Sequence, residues 1–194
     1  MAGKSVRART YLTLGGLLLL LSACGGSPAG PSEITRPAPA TAPTAQARPA
    51  LVWPASLDAY ARILVGDQIA RWPAGASLRH CAPAELAGVV AEAAAMMTRV
   101  SGLQQTQAGP CNVQWDLDQA PGHAVTTLSL GERGEIVAAR IVLHPGNLDL
   151  AGHEAGHALG LQHSPRAEDL MNATPRVDEF SRDELAVLAA MYPR

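Results

Sequence analysis

One stretch of eleven residues, 153–163, constrains this chain more than any other part of its sequence. It reads His-Glu-Ala-Gly-His-Ala-Leu-Gly-Leu-Gln-His. Residues four apart share one face of a helix, so His153 and His157 can direct both imidazoles at a single metal ion. Gly160 can adopt a positive φ, which allows the helix to end and the chain to turn sharply. His163 then returns to supply a third ligand.

This ligand set predicts a catalytic zinc ion. Three neutral imidazoles leave one tetrahedral position open, whereas a structural zinc site is closed by four protein ligands. Glu154 lies beside the metal but not on it, where a carboxylate can take a proton from a metal-bound water. The alternative is surface histidines on an ordinary amphipathic helix, but three of the six histidines fall within this stretch. We therefore expect one Zn²⁺ held by His153, His157 and His163, with Glu154 as the catalytic general base.

The motif and the residues after it resemble the metzincin clan of zinc peptidases, most closely its matrixin branch, the matrix metalloproteinase type. Metzincins carry a methionine in a tight turn beneath the metal, and Met171 follows His163 by eight positions, a spacing similar to that of matrixins. Ser164, directly after the third histidine, also matches matrixins. Asn172-Ala173 stand where matrixins usually have Tyr-Pro, which is a departure at the wall of the specificity pocket. The alternative for Met171 is an ordinary core methionine.

Residues 1–23 are typical of an export signal. Lys4, Arg7 and Arg9 form a basic start, and residues 12–21 form an apolar run that is too short to span a bilayer permanently. The next residues, Leu-Ser-Ala-Cys ending at Cys24, resemble a bacterial lipobox, in which the cysteine is lipidated and becomes the first mature residue. A simple signal peptide cut just before Cys24 is the alternative.

Residues 24–50 are rich in Gly, Pro, Ala, Ser and Thr and predict a lipidated, disordered tether, which leaves 51–194 as a single catalytic domain. Gly25 follows the cysteine, rather than the Asp that tends to retain lipoproteins at the inner membrane. We therefore expect an exported protein anchored to the cell envelope, at the outer membrane if the cell has one.

Charge argues against nucleic acid as a partner. Of the 15 basic residues, three lie in the export signal, so 12 basic residues face 17 acidic ones in the rest of the chain, a formal charge of −5. No basic run remains there, so membrane attachment is expected through acyl chains on Cys24 rather than through surface charge. The two other cysteines, Cys81 and Cys111, lie in an exported domain and predict a disulfide, with two buried thiols as the alternative.

The hydrophobic pattern predicts a series of short elements around the motif. These are a strand region over 67–81 interrupted by a turn at 73–75, a helix over 83–100 ended by Gly102, and a strand at 112–115. An antiparallel hairpin follows over 125–130 and 136–143, with Val137, Ala139, Ile141 and Leu143 on its apolar face. Asn147 or Asp149 is expected to cap the helix that carries the histidines. Ser181 and Glu184 form a capping box at the start of a final helix.

The resemblance implies an α+β fold: a metzincin-like twisted mixed β-sheet with two long helices and a small C-terminal subdomain, which contains the methionine turn and the final helix. It also implies that the first hairpin strand is the sheet edge above the active-site cleft. The residues expected to pair there with an extended peptide are Val125, Thr126, Thr127 and Leu128. The alternative is a solvated edge strand that binds nothing. The remaining histidines, His80, His123 and His144, are interpreted as structural or surface residues.

Taken together, these patterns predict a monomeric zinc-dependent endopeptidase whose partners are a peptide or protein substrate and, through its lipid anchor, a membrane. A non-catalytic lipoprotein that binds zinc or a peptide on the same fold is one alternative, although a binding protein does not need Glu154 to hold the metal. A hydrolase of cell-wall peptides is the other, since it would use the same metal chemistry.

The lipobox leads to a testable prediction. Cys24→Ser should release the protein from membranes, because the acylated residue is lost while the export signal remains. Mass spectrometry of wild-type protein from the native host should find an acylated N-terminal peptide that begins at residue 24. A soluble wild-type protein with a free N-terminus at another position would contradict the prediction.

Overall fold

The structure is a computed structural model and describes residues 51–194; the expected export signal and tether, including Cys24, lie outside the described residues. Its helices are α1 (Asp58–Val65), α2 (Ala87–Ser101), α3 (Ala151–Ala158) and α4 (Arg182–Met191), with 3₁₀ turns at Ala84–Leu86 and Leu148–Leu150. Its strands are β1 (Ser77–Leu78), β2 (His80–Cys81), β3 (Gln104–Gln105), β4 (Val113–Leu117), β5 (Val125–Leu130) and β6 (Ile136–Leu143).

A mixed four-stranded sheet carries the fold, in the order β2-β4-β6-β5. Strands β2, β4 and β6 pair in parallel, and β5 pairs with β6 in the antiparallel direction. Strands β1 and β3 form a separate two-stranded parallel sheet. The predicted α+β class, with helices packed against a mixed sheet, is confirmed. The predicted hairpin also forms with the expected bounds, and β5 lies at the edge of the sheet.

The apolar face of β6 differs from the expected one at Val137. The register of β5 and β6 shifts between Ser129 and Leu130, which pair with Ala138 and Ile136. Val137 therefore has no residue opposite it, as in a β-bulge, and the inward alternation changes phase there. Ile136 is fully buried and Val137 is 47% exposed. The prediction that Val137 faces the core is wrong, because strict alternation was extended through the bulge.

Helix α2 packs its inner face into the core, and its ends follow the expected residues. Pro83 is in extended conformation just before the 3₁₀ turn that leads into α2, and Gly102 ends the helix with φ 72°. A left-handed residue at this position is the ordinary way to end a helix, and glycine adopts it without a steric penalty. Met96 and Met97 are both buried, so they fill the core as predicted.

The region before α2 differs most from the predicted elements. Strands occupy only the end of the expected 67–81 segment, as β1 and β2, whereas residues 67–72 contain no strand. Helix α1 and strand β3 were not anticipated at all, and the strand expected at 112–115 extends to Leu117. The turn at 73–75 does form, closed by a bond from the Ala76 N–H to the Pro73 carbonyl.

Helix α3 begins without the expected side-chain cap. Its first turn continues from the 3₁₀ turn, and Leu150 occupies the capping position without a side-chain bond. The Asn147 side chain instead accepts a bond from the His144 N–H at 2.8 Å and donates to the Gly122 carbonyl. The prediction of an Asn147 or Asp149 cap is therefore wrong. The capping box of Ser181 and Glu184 at the start of α4 is present.

A disulfide joins Cys81 to Cys111, with Cα atoms 5.9 Å apart. Cys81 ends β2, and Cys111 lies just before β4, the strand with which β2 pairs. The bond therefore links two segments that the sheet already brings together. Within residues 51–194, no helix is long and apolar enough to cross a membrane.

Candidate metal centre

The three histidines of the motif converge on one point. One ring nitrogen from each of His153, His157 and His163 lies within 4.8 Å of the others. The first two project from α3 one turn apart, with their Nε2 atoms 3.1 Å from each other. His153 is buried and His163 is exposed, so the cluster is closed on the protein side and open to solvent on the other.

Backbone carbonyls set the tautomers of the two helical histidines. Nδ1 of His153 lies 2.7 Å from the Leu170 carbonyl oxygen, and Nδ1 of His157 lies 2.7 Å from that of Leu161. A carbonyl can only accept, so each Nδ1 carries the hydrogen and each Nε2 presents a lone pair. The two Nε2 atoms therefore cannot hydrogen bond to each other. Tetrahedral zinc with Zn–N bonds of about 2.0–2.1 Å would place them about 3.3 Å apart, so the pair fits such an ion.

Partial desolvation favours the neutral form of His157 and of His163. It lowers the pKa of His157 to about 4, and it also lowers the pKa of His163. A protonated imidazole cannot bind a metal, so these shifts favour the form that can do so at neutral pH. The three residues are thus compatible with one zinc ion.

Glu154 lies beside the cluster with its carboxylate held by the edge strand. Glu154 is 3% exposed. The Thr126 hydroxyl on β5 donates to Oε2 of Glu154 at 2.7 Å and lies 3.0 Å from the backbone carbonyl oxygen of Glu154. Burial raises the pKa of Glu154, while the Thr126 bond and neighbouring His153 act in the opposite direction. A carboxyl group with a raised pKa is better suited to exchange protons near neutral pH.

The turn that returns His163 to the cluster requires glycine at position 160. Gly160 has φ 96°, and a Cβ there would overlap the carbonyl oxygen of Ala70. The next residues are fixed by a bond from the Gln162 N–H to the Leu64 carbonyl at 2.6 Å. Leu64 belongs to α1, so the unanticipated helix helps to place the third histidine.

Met171 packs against α3. It is fully buried, and a Cβ on Gly156 would overlap its sulfur, so methionine and helix are in close contact. Its carbonyl accepts the Ser164 N–H at 2.7 Å, which joins the turn to the residue after His163. The Leu170 carbonyl of the same turn orients His153. This turn therefore contacts segments that carry all three histidines.

Glu184 is a buried residue with a second role that the sequence pattern does not predict. Besides closing the capping box of α4, its carboxylate accepts the N–H groups of Leu170 at 3.1 Å and Met171 at 2.8 Å. It is fully buried; burial raises its pKa, while the bond from Met171 lowers it. The Ser-x-x-Glu pattern revealed the cap, but no local signal reveals bonds to a turn thirteen residues away.

A second buried carboxylate that no sequence pattern predicts lies directly before Leu170. Asp169 is fully buried and accepts hydrogen bonds from the hydroxyls of Tyr60 and Ser164. Burial alone would raise its pKa, but these two bonds and the Arg166 guanidinium outweigh burial and lower it. Arg166 also lies over the Tyr60 ring, 4.5 Å from its centroid. Tyr60 belongs to α1, so this network is a further link between α1 and the turn.

A cavity of about 410 Å³ opens in front of the cluster. Its lining includes Glu154, the three clustered histidines and, from the edge strand, Val125, Thr126 and Leu128. Thr127, which is predicted to pair with a peptide together with these three strand residues, is not part of the lining. His123 is exposed, as predicted, and it also borders the cavity. His80 and His144 instead have structural contacts, with the Trp115 indole and the Ala120 carbonyl.

The fold is similar to those of two solved structures. High choriolytic enzyme 1, a hatching-enzyme zinc protease from the medaka fish Oryzias latipes, has a TM-score of 0.42 at 14% identity, over 65% of this chain and 96% of that one. Myroilysin has a TM-score of 0.45 at 13% identity, over 68% of this chain and 98% of that one. No family profile and no curated protein matches the chain. Function must therefore be inferred from the site itself.

The turn before His163 gives a prediction with a matched control. Gly75→Ala introduces a side chain at φ 74° into open space, so it should cost about 1–2 kcal/mol for the backbone conformation alone. Gly160→Ala has the same backbone penalty and also overlaps the Ala70 carbonyl, which should add about 1–3 kcal/mol. Urea unfolding measures both, and zinc content should fall only in Gly160→Ala. Equal losses of stability in the two variants would contradict the account of this turn.

Proposed function

We propose that this chain is a zinc-dependent endopeptidase. The observation that carries the proposal is the convergence of three imidazole nitrogens beside a buried, hydrogen-bonded carboxylate in an open cavity. The carboxylate is not needed to hold a metal that already has three ligands. Its position next to the cluster is what hydrolysis requires and what simple metal storage does not.

Each residue of the site then has a role in peptide hydrolysis. His153, His157 and His163 would hold zinc, which when bound supplies a Lewis acid that lowers the pKa of water to about 7 and polarises a carbonyl. Glu154 takes the proton from the attacking water and passes it to the leaving amine. Thr126 holds the Glu154 carboxylate in the direction of the cavity through the bond at 2.7 Å.

The edge strand supports a peptide rather than a small molecule as substrate. β5 pairs with β6 on one side only among the described strands, and three of its residues line the cavity. An extended peptide can add to such an edge through main-chain bonds, which would place its backbone across the histidine cluster. Val125, at 52% exposed, would be covered by the bound peptide.

Three features of the sequence support a location anchored to the cell envelope. The basic and apolar start, the Leu-Ser-Ala-Cys pattern that ends at Cys24 and the Pro-rich segment after it together support an envelope-anchored protein. A tether of 27 residues, 24–50, would allow the domain to reach substrates at some distance from the membrane.

Zinc binding and hydrolysis should be separable by mutation. Glu154→Ala should keep about one zinc per chain and lose more than ~10²–10⁴-fold in peptide hydrolysis, because proton transfer and water positioning are lost together. His→Ala at 153, 157 or 163 should lower zinc content itself, often with stability. Glu132→Ala removes an exposed carboxylate from the hairpin loop and should change neither property. Metal analysis and cleavage of a peptide library measure both.

Two results would reject the proposed endopeptidase activity and favour a non-catalytic protein that binds zinc or a peptide. One is cleavage by Glu154→Ala at the wild-type rate. The other is a wild-type chain that holds one zinc and cuts nothing in a broad library of peptides. Met171→Leu conserves volume, so it should leave zinc content and hydrolysis mostly intact.

Thr126 is expected to act as a positioning residue through Glu154. Thr126→Val removes the hydroxyl while keeping the side-chain shape, so kcat should fall about tenfold with little change in KM, as for the loss of one bond to a charged group. The bond lowers the pKa of Glu154, so its removal should move the acid limb of the pH profile to higher pH. Thr126→Ser should restore both values. Thr127→Val, on the neighbouring residue outside the cavity, is the matched control; an equal effect there would contradict a role specific to Thr126.

A further inference from the structure

A second and larger cavity, of about 970 Å³, lies elsewhere on the domain. It is formed by residues 71–76, the end of α2 with the residues that follow it, the hairpin loop at Arg133 and Glu135, and residues 191–194. None of its lining residues belongs to the cavity in front of the histidines. Its volume is at the upper end of the range of about 300–1,000 Å³ for ligand sites.

The rim of this cavity is strongly basic. Its charged side chains are Arg71, Arg99, Arg133 and Arg194 against the single acid Glu135. Glu135 lies 3.8 Å from Arg133, and the other three arginines have no other acidic side chain among the lining residues. This basic rim contrasts with the chain after the export signal, in which acidic residues exceed basic ones by five. A local positive excess on an acidic protein attracts an acidic partner.

Two of these arginines are anchored by bonds to the backbone. Arg71 donates from one terminal nitrogen to the Met191 carbonyl at 2.8 Å, and Arg194 donates to the Arg99 carbonyl. An arginine has five N–H donors in a planar fork, so one such bond orients the group and leaves donors for a ligand. Oriented guanidinium groups suit carboxylates, which they bind with two parallel bonds.

The floor of the cavity is apolar and rigid. Trp72, Leu103 and Met191 are buried and line it. The Trp72 indole donates to the Ala158 carbonyl at 2.9 Å, and the Tyr192 hydroxyl donates to that of Leu159 at 2.8 Å. These bonds attach the floor to the last turn of the histidine-bearing helix. The cavity is thus formed before a ligand arrives, which lowers the entropic cost of binding.

We propose that this cavity binds an acidic peptide segment that also carries apolar side chains. Carboxylates of the peptide pair with the arginines at the rim, and its apolar side chains pack over the floor against the exposed lining residues Pro73, Ala74 and Pro193. A free inorganic anion would satisfy the arginines but leave the apolar floor and most of the volume without contact. The proposal is independent of hydrolysis, since it concerns binding at a site that contains no residue of the histidine cluster.

The test uses the full-length chain with Glu154→Ala, so that a probe is not cut. The probe is a fluorescent twelve-residue peptide of alternating Glu and Leu, compared with the same peptide containing Gln or Lys in place of Glu. Fluorescence anisotropy measures the affinity, and a photo-reactive group on the peptide identifies the residues it contacts. Arg99→Glu with Arg133→Glu reverses two exposed charges at the rim; Arg62→Glu with Arg182→Glu reverses two exposed charges outside it.

The Glu peptide should bind at least tenfold more tightly than the Gln peptide, and the Lys peptide should not bind. The double variant at the rim, Arg99→Glu with Arg133→Glu, should weaken binding at least tenfold. The control double variant should weaken it less than twofold. Both should keep the circular dichroism spectrum and the melting temperature of the Glu154→Ala parent. Each rim variant alone should weaken binding by a smaller factor. Higher salt should weaken binding as it screens the charges. Crosslinks should map to residues 71–76, 98–104 and 191–194.

Several results would overturn the proposal. They are equal binding of the Glu and Gln peptides, equal binding by the rim and control variants, or crosslinks confined to the histidine cavity. Phosphatidylglycerol vesicles that bind in a manner abolished by the rim variants, with no binding of the Glu peptide, would assign the cavity to an anionic lipid instead. A peptide that binds as expected to a chain without hydrolytic activity would leave this inference intact and reject only the proposed function.

Discussion

Two ring nitrogens without hydrogens face each other across 3.1 Å on α3, and a third imidazole completes the group. Lone pairs at that distance repel unless a cation or a proton lies between them. Burial disfavours the proton at His157, and the three converging imidazole nitrogens are compatible with one zinc ion as the cation. The contacts around the cluster hold the three imidazoles together in the fold.

The turn at Leu170 and Met171 is the main support of that arrangement. Its carbonyls contact His153 and the residue after His163, while its N–H groups bond to the buried Glu184 carboxylate of α4. Asp169 ties the start of the same turn to α1 through Tyr60. The supports come from both ends of the domain, so metal affinity and folding stability should be coupled. Thr126 adds a separate contact from the sheet edge to Glu154. This contact links the strand proposed to bind peptides to the proposed general base.

Much of the site could be predicted because its residues are close in sequence. Helical spacing places His153 beside His157, and Gly160 is explained by the positive φ that the turn requires. The hairpin was predictable from two β-branched runs around a Gly-containing loop, but the bulge at Val137 was not, since it depends on the partner strand. Contacts distant in sequence were missed. Tyr60 bonds to Asp169 across 109 residues, and the arginine-rimmed cavity assembles four separate segments. Leu57, Ala61 and Leu64, at the N-cap and within α1, have the i, i+4, i+7 spacing of an apolar helix face.

X-ray absorption at the zinc edge tests the central claim most directly, because it counts and identifies the atoms bound to the metal. The claim is that His153, His157 and His163 hold one zinc and that Glu154 is not a ligand. The spectrum of the zinc-loaded protein should fit three imidazole nitrogens at about 2.0–2.1 Å and one light atom from solvent. The spectrum of Glu154→Ala should show the same set. Any of three results would contradict this claim. The first is a sulfur ligand, and the second is a fourth imidazole such as His123. The third is an oxygen ligand that is present in the wild-type protein and lost in Glu154→Ala.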